Sequence, residues 1–266
     1  MMDHGSETGT RTERHGKVGL LLLHGFSRSN REQRLIEIQE ALSSTGIIVR
    51  MPLLPGHGTV PGDLNTVTWK DWLTCAQQEL GELQKQVDTV FVGGFSMGGN
   101  IAFLLAQSHP VAGIISFATP FILRPRWRIS LRFILAFSDK MQWMKKLVTK
   151  RAAQHVSPEI VQRKDRYWTY PIKSLGDLYK IILESKGILS AITTPTLIIQ
   201  PHGIPLHPAQ NADYIYATIG SPIKKIVQID NSYIDTMTED IYNKQEIFDE
   251  IRSFIHHQCP HAHRNL

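Results

Sequence analysis

"TVFVGGFSMGGN", residues 89–100, runs from apolar sequence through two glycines to a serine and then into small residues suited to a helix. After Thr89 no polar residue interrupts the run to Phe95, which predicts a strand buried on both faces. Gly94-Phe95-Ser96-Met97-Gly98 has the G-x-S-x-G spacing. Its setting between strand and helix places Ser96 in a tight turn at the carboxyl end of a parallel strand. Gly94, Gly98 and Gly99 permit that turn and let the helix pack close to it. The first amides of such a helix point toward whatever sits above the serine. A serine hydroxyl is a weak nucleophile until a neighbouring base takes its proton. Ser96 therefore requires a histidine and an acid from elsewhere in the chain.

Working outward, short apolar runs alternate with amphipathic stretches. "VGLLLLH" (18–24) and "GIIVRM" (46–51) read as strands, separated by a loose helical stripe at Leu35, Ile36, Ile38 and Leu42. A Pro/Gly-rich loop, "PLLPGHGTVPGD" (52–63), follows. Trp69, Trp72, Leu73, Ala76, Leu80, Leu83 and Val87 then fall at helical spacing. "VAGIISFAT" (111–119) is a further strand. Residues 120–190 read mostly as helices, with no obvious strand among them. Alternation resumes with "PTLIIQ" (195–200), a helix around Ala209 to Ile219, "KKIVQI" (224–229), and a closing helix faced by Ile247, Phe248, Ile251, Phe254 and Ile255. The class is therefore α/β: a mostly parallel sheet of about six strands with helices on both faces. The expected division is a disordered start (1–16), one domain (17–256) with a helical cap inserted at about 120–190, and a His-rich tail (257–266).

The excess of 29 Lys and Arg over 24 Asp and Glu gives a net charge of +5. No nucleic-acid-binding module accompanies it. From residue 121 to 151 nine basic residues face one acid, Asp139. Trp127, Phe133, Phe137 and Trp143 are interleaved with them, as in a segment that lines an acyl pocket or makes peripheral contact with an anionic membrane. Two cysteines, Cys75 and Cys259, give no disulfide framework. The polar start lacks the apolar core of a secretory signal, so a cytoplasmic protein is expected. No cofactor fingerprint is present. The tail histidines lack zinc-finger spacing, and no metal site is expected.

The segments "LLLHGF" (21–26), "PLLPGHGT" (52–59), "WKDW" (69–72), "GGFSMGG" (93–99), "PTLIIQ" (195–200) and "NADYIYATIGS" (211–221) together resemble the α/β-hydrolase superfamily. The similarity is to its bacterial carboxylesterase and monoacylglycerol-lipase-like branch, and it runs from about residue 17 to 256. It implies that Ser96 attacks a carboxylic ester of a small or acyl-chain substrate. The backbone amides of Phe26 and Met97 would form the oxyanion hole, and His24 would shape the loop that carries Phe26.

The same resemblance exposes two departures. The branch carries its acid in a turn of the form G-x-x-D-x-x-V-P, where this chain has Gly203-Ile204-Pro205-Leu206-His207-Pro208. It carries its histidine in N-S-G-H, where this chain has Asn231-Ser232-Tyr233-Ile234. Aligned back from the final helix, the histidine position falls on Thr236 instead. Loss of the base lowers turnover by about 10⁶ in well-studied serine enzymes, leaving about 10³ to 10⁴ over water. Substitutes would have to lie on the same rim: His57, His202 or His207 as base, with Asp230 or Asp235 as orienting acid. The sequence thus leaves open an esterase with a rearranged triad, a degenerate hydrolase that binds an acyl or small apolar ligand, and a scaffold whose basic cap contacts a membrane or partner.

Overall fold

The computed structural model describes residues 16–123, 147–149, 166–201, 210–229 and 244–259. Eight strands follow one another among them: β1 (Val18–Leu23), β2 (Ile48–Arg50), β3 (Thr89–Phe95), β4 (Gly113–Phe117), β5 (Leu147–Thr149), β6 (Thr169–Pro171), β7 (Thr196–Pro201) and β8 (Lys224–Ile229). The helices are α1 (Gln33–Ser43), α2 (Trp69–Gln84), α3 (Met97–Ser108), α4 (Ile172–Ile188), α5 (Gln210–Thr218) and α6 (Lys244–Gln258).

Six strands form one parallel sheet in the order β2-β1-β3-β4-β7-β8. Strands β1, β4 and β7 are buried along their whole length, and β3 everywhere beyond Thr89. Helices cover both faces, so these strands are continuously apolar and do not alternate. Within β1, Leu20 and Leu22 face α1 and α6, packing with Leu35, Ile38, Ile247 and Ile251. Leu21 and Leu23 face the opposite layer, with Trp72 and Leu80 of α2, Ile101 of α3 and Ile181 of α4. Strand β8 is more exposed and begins with Lys224 and Lys225. Charge at an edge discourages pairing with another chain.

Helix α2 follows the predicted stripe, burying Trp72, Ala76, Leu80 and Leu83, but it ends at Gln84 and leaves Val87 to the following turn. It lies directly on β1, where a Cβ on Gly19 would meet Leu83 Cδ1 at 2.9 Å. The stretch 120–190 differs from expectation. It contains β5 and β6, an antiparallel pair with Leu147 opposite Pro171 and Thr149 opposite Thr169. Pairs of three-residue strands are too short to carry a periodic signal. Helix α4, assigned to the cap from sequence, contributes Leu178, Ile181 and Ile182 to the core that α3 shares. Cys75 and Cys259 are free thiols. Among the described residues no helix is long and apolar enough to cross a membrane, and no cluster of ligating side chains suits a metal ion.

Candidate functional site

Strand β1 has β2 on one side and β3 on the other, so the chain leaves it and returns around opposite edges. Parallel sheets open a ligand crevice at the carboxyl ends of such strands. Leu23 is in register with Gly94. The next residues of each strand therefore stay together, and a Cβ on Gly25 would lie 3.6 Å from that of Ser96. Every residue from 18 to 29 is buried except Phe26, and every residue from 90 to 103 except Ser96. These two half-buried residues flank the close approach of Gly25 to Ser96.

Ser96 links β3 to α3 with φ 52° and ψ −113°. These angles mirror an ordinary extended conformation, which glycine adopts freely and an L-residue does not. Surrounding contacts hold the turn in place. Ser96 N–H donates to Phe117 O at 2.8 Å, while Gly99 and Asn100 N–H groups donate back to Ser96 O at 3.0 and 3.3 Å. The glycines are required by close approach. A Cβ on Gly98 would lie 2.4 Å from Leu23 O, and one on Gly99 only 1.9 Å from Thr119 Oγ1. Thr119 Oγ1 in turn accepts from Ser116 Oγ–H at 2.7 Å, so a buried hydroxyl pair supports the turn from below.

Across the crevice, Arg28 N–H donates to Gly25 O at 3.2 Å and closes a turn in which Ser27 has φ 60°. Met97 is the first residue of α3. Among the described residues no turn hydrogen bond engages the N–H of Phe26 or of Met97. Helix-start amides of this kind are suited to developing negative charge. Behind them Glu32 is fully buried between Arg28, at 3.2 Å, and Arg34. Burial pushes the Glu32 carboxyl up, but Arg34 and Arg28 outweigh it and hold the group below the usual range. Arg34 also lies over the Phe95 ring, 4.4 Å from its centroid. This ion cluster fixes the loop carrying Phe26, and sequence reading missed it. The spacing of Arg28 and Glu32, four residues apart, was its only signal.

The two described histidines of the region have different surroundings. His24 Nδ1–H donates to Gly25 O at 3.0 Å, and Nε2 accepts from Leu54 N–H at 3.0 Å. Both nitrogens are thus committed, and burial holds the ring's pKa below its ordinary value. His57 was a candidate substitute base. It is 1 % exposed, with Nδ1 3.1 Å from Pro55 O and with Nε2 unpartnered among the described residues. Aromatic rings surround it: Tyr167, parallel at 6.4 Å, and Trp72 and Phe26 edge-on at 5.6 and 6.2 Å. Burial, then the neighbouring His24, lowers its pKa to about 3. No described hydrogen bond joins it to Ser96, and a base with so low a pKa is poorly matched to neutral pH. His202, Ile204 and His207, with Asp230, Ile234, Asp235 and Thr236, lie outside the described residues.

Tyr167, more than a hundred residues from the 52–63 loop, had no sequence signal. Its hydroxyl donates to Gly56 O at 3.1 Å and accepts from Thr59 N–H at 2.8 Å, tying that loop to the segment just before β6.

The family model described as "Serine aminopeptidase, S33" (Hydrolase_4) matches residues 15–240. A thermostable monoacylglycerol lipase of Bacillus sp. (strain H-257) is 30% identical over 220 residues, 82% of this chain and 83% of that protein. A carboxylesterase of Bacillus subtilis (strain 168) is 22% identical over 217 residues, 81% of this chain and 83% of its own length. Among solved structures, one from the metagenome-derived lipolytic enzymes LipS and LipT superposes with a TM-score of 0.75 at 25% identity. It covers 91% of this chain and 95% of its own. The matched span runs from β1 through the serine turn to β8, and with it the chain belongs to the Hydrolase_4 family of serine hydrolases with the α/β-hydrolase fold.

Proposed function

We propose that the crevice is a carboxylic-ester site in which Ser96 Oγ is the nucleophile and the N–H groups of Phe26 and Met97 bind the oxyanion. The observation that carries this reading is the backbone of Ser96. A conformation disfavoured by about 1–3 kcal/mol persists only where surrounding structure enforces it, and such strain concentrates at reacting groups. Attack of Oγ on the ester carbonyl would place the new oxyanion between the two amides. Collapse would expel the alkoxide, which leaves as the alcohol carrying the proton that Ser96 Oγ gave up, and water would then hydrolyse the acyl-serine to the acid and free Ser96.

Turnover is slow in this reading, because Ile204 and Ile234 stand at the acid and base positions and His57 is neutral, buried and unbonded to Ser96. The ligand is a small or acyl-chain ester in a cytoplasmic setting. The basic segment 121–151, almost wholly outside the described residues, is the part suited to peripheral contact with anionic lipid. Fluorophosphonate labelling beside Ser96→Ala, with p-nitrophenyl butyrate hydrolysis in parallel, tests the proposal. Slow labelling confined to Ser96 is the expected result. Rapid labelling and turnover would mean that another residue serves as base. Labelling that survives in Ser96→Ala would remove Ser96 from the chemistry altogether.

A further inference from the structure

The amide assigned to the oxyanion at Phe26 belongs to a turn that neither a helix nor a strand holds in place. Gly25 to Arg28 form a β-turn, closed by Arg28 N–H donating to Gly25 O at 3.2 Å. Ser27, its third residue, has φ 60°. Positive φ at that position suits glycine or asparagine, and serine adopts it at a cost. Such a turn keeps its shape only where neighbouring structure enforces it.

A segment far along the chain supplies that enforcement. Tyr167 N–H donates to Ser27 O at 2.7 Å, and Arg28 and Arg166 form an antiparallel bridge beside it. The side chain of Tyr167 grips a second loop. Its hydroxyl donates to Gly56 O at 3.1 Å and accepts from Thr59 N–H at 2.8 Å. That loop is anchored in turn on the residue before Gly25, since Leu54 N–H donates to His24 Nε2 at 3.0 Å. The contacts from 24 to 54, from 56 and 59 to 167, and from 167 to 27 close a ring around the turn. The Tyr167 side chain is buried, and its ring lies parallel to that of His57. Three residues on, Tyr170 packs edge-on against the Phe26 ring at 5.3 Å. Any movement of the Tyr167 backbone away from Ser27 would pull on the two hydroxyl bonds.

We propose that Tyr167 is a positioning residue for the oxyanion hole: its hydroxyl and its N–H together hold the turn that aims Phe26 N–H at a carbonyl on Ser96. It touches no reacting atom. The inference rests on reading the crevice as an ester site with Phe26 as an oxyanion donor. Losing such a donor outright lowers the rate by about 10²–10³. A turn that is only loosened loses alignment and keeps the donor, so the expected effect is about tenfold.

Saturation kinetics of fluorophosphonate labelling at Ser96 test this in the wild-type chain, Tyr167→Phe and Asp71→Ala. Charge growing on the phosphoryl oxygen takes the place of the ester's oxyanion. The limiting rate therefore reads alignment, and the half-saturating reagent concentration reads binding. Phenylalanine keeps the ring and the N–H and drops only the hydroxyl. Asp71→Ala weakens the fold at the cap of α2 and serves as the control for lost stability. Tyr167→Phe is expected to lower the limiting rate about tenfold with half-saturation unchanged, and Asp71→Ala to change neither. Equal losses of rate in the two variants would leave Tyr167 a structural role alone and overturn the proposal. An unchanged rate in Tyr167→Phe, or a change confined to half-saturation, would overturn it too. If the wild-type chain is not labelled at Ser96, the ester-site reading falls, and the positioning role with it. Hydrogen exchange on the wild-type chain decides the matter should Tyr167→Phe fail to fold. Tyr167 precedes β6 and lies outside the strands, yet the proposal requires its N–H to exchange at least about a hundredfold more slowly than an open amide. Exchange at the open-chain rate would overturn the proposal.

Discussion

Ser96 is held where its side chain is sterically penalised and glycine would be at ease. Ser96→Gly removes the Cβ that makes φ 52° unfavourable while leaving the turn's backbone hydrogen bonds in place. The expected outcome is a more stable protein, by about 1 kcal/mol in urea unfolding, with no fluorophosphonate label. Unchanged or lower stability would mean the turn carries no strain. Gly98→Ala works in the opposite direction. Alanine favours helices, but its methyl would sit 2.4 Å from Leu23 O, a backbone atom that cannot swing away. A loss of about 3 kcal/mol is expected from the same unfolding curves. Both residues were legible in the sequence, since strand, glycine, serine and glycine occur in one short run. His57 was legible only as a rim histidine. Its burial depends on Tyr167 and Trp72, and nothing in "PGHG" reports whether the ring turns toward them or toward water.

Among the elements, α2 shows why some were easy to read and others not. Its apolar spacing fixed its existence and buried face. Its start is set by Asp71, whose carboxylate accepts from both the N–H and the hydroxyl of Thr68 at 2.7 Å. Those bonds, side chain first and backbone second, lower the Asp71 pKa. Asp71→Ala should reduce stability by about 1 kcal/mol, the usual effect of losing a helix cap, without altering labelling at Ser96. A loss of labelling would show that α2 does more than support β1. The central strands were equally plain, as unbroken apolar runs. The pair β5 and β6 was not, because each strand spans three residues and paired residues lie 20 to 24 positions apart. Phe26, Trp72 and Tyr170 form an aromatic cluster drawn from three distant segments. Only the fold brings those rings together.

For the whole molecule, the buried histidines set how stability responds to acid. His24 and His57 are neutral in the folded chain because burial disfavours their charged forms, His57 down to a pKa of about 3 from an ordinary 6.5. Below pH 6.5 the unfolded chain takes up protons that the folded chain takes up only at lower pH, for His57 only near pH 3. Stability is therefore fully present above 6.5 and falls as pH drops, for His57 by up to about 1.4 kcal/mol per pH unit. For His57 this amounts to about 2 kcal/mol between pH 7.5 and 5. Glu32 follows the carboxylate rule instead. Its lowered pKa adds stability above its ordinary 4.5, lost only as pH falls further, so the first part of the acid arm belongs to the histidines. Urea unfolding at pH 7.5, 6 and 5 should show this decline in the wild-type chain and a shallower one in His57→Asn, smaller by the contribution of one proton. Identical slopes would mean that His57 is protonated in the folded protein as readily as in the unfolded one. The aromatic enclosure around His57 would then not exclude water, and its Nε2 would have solvent as a partner.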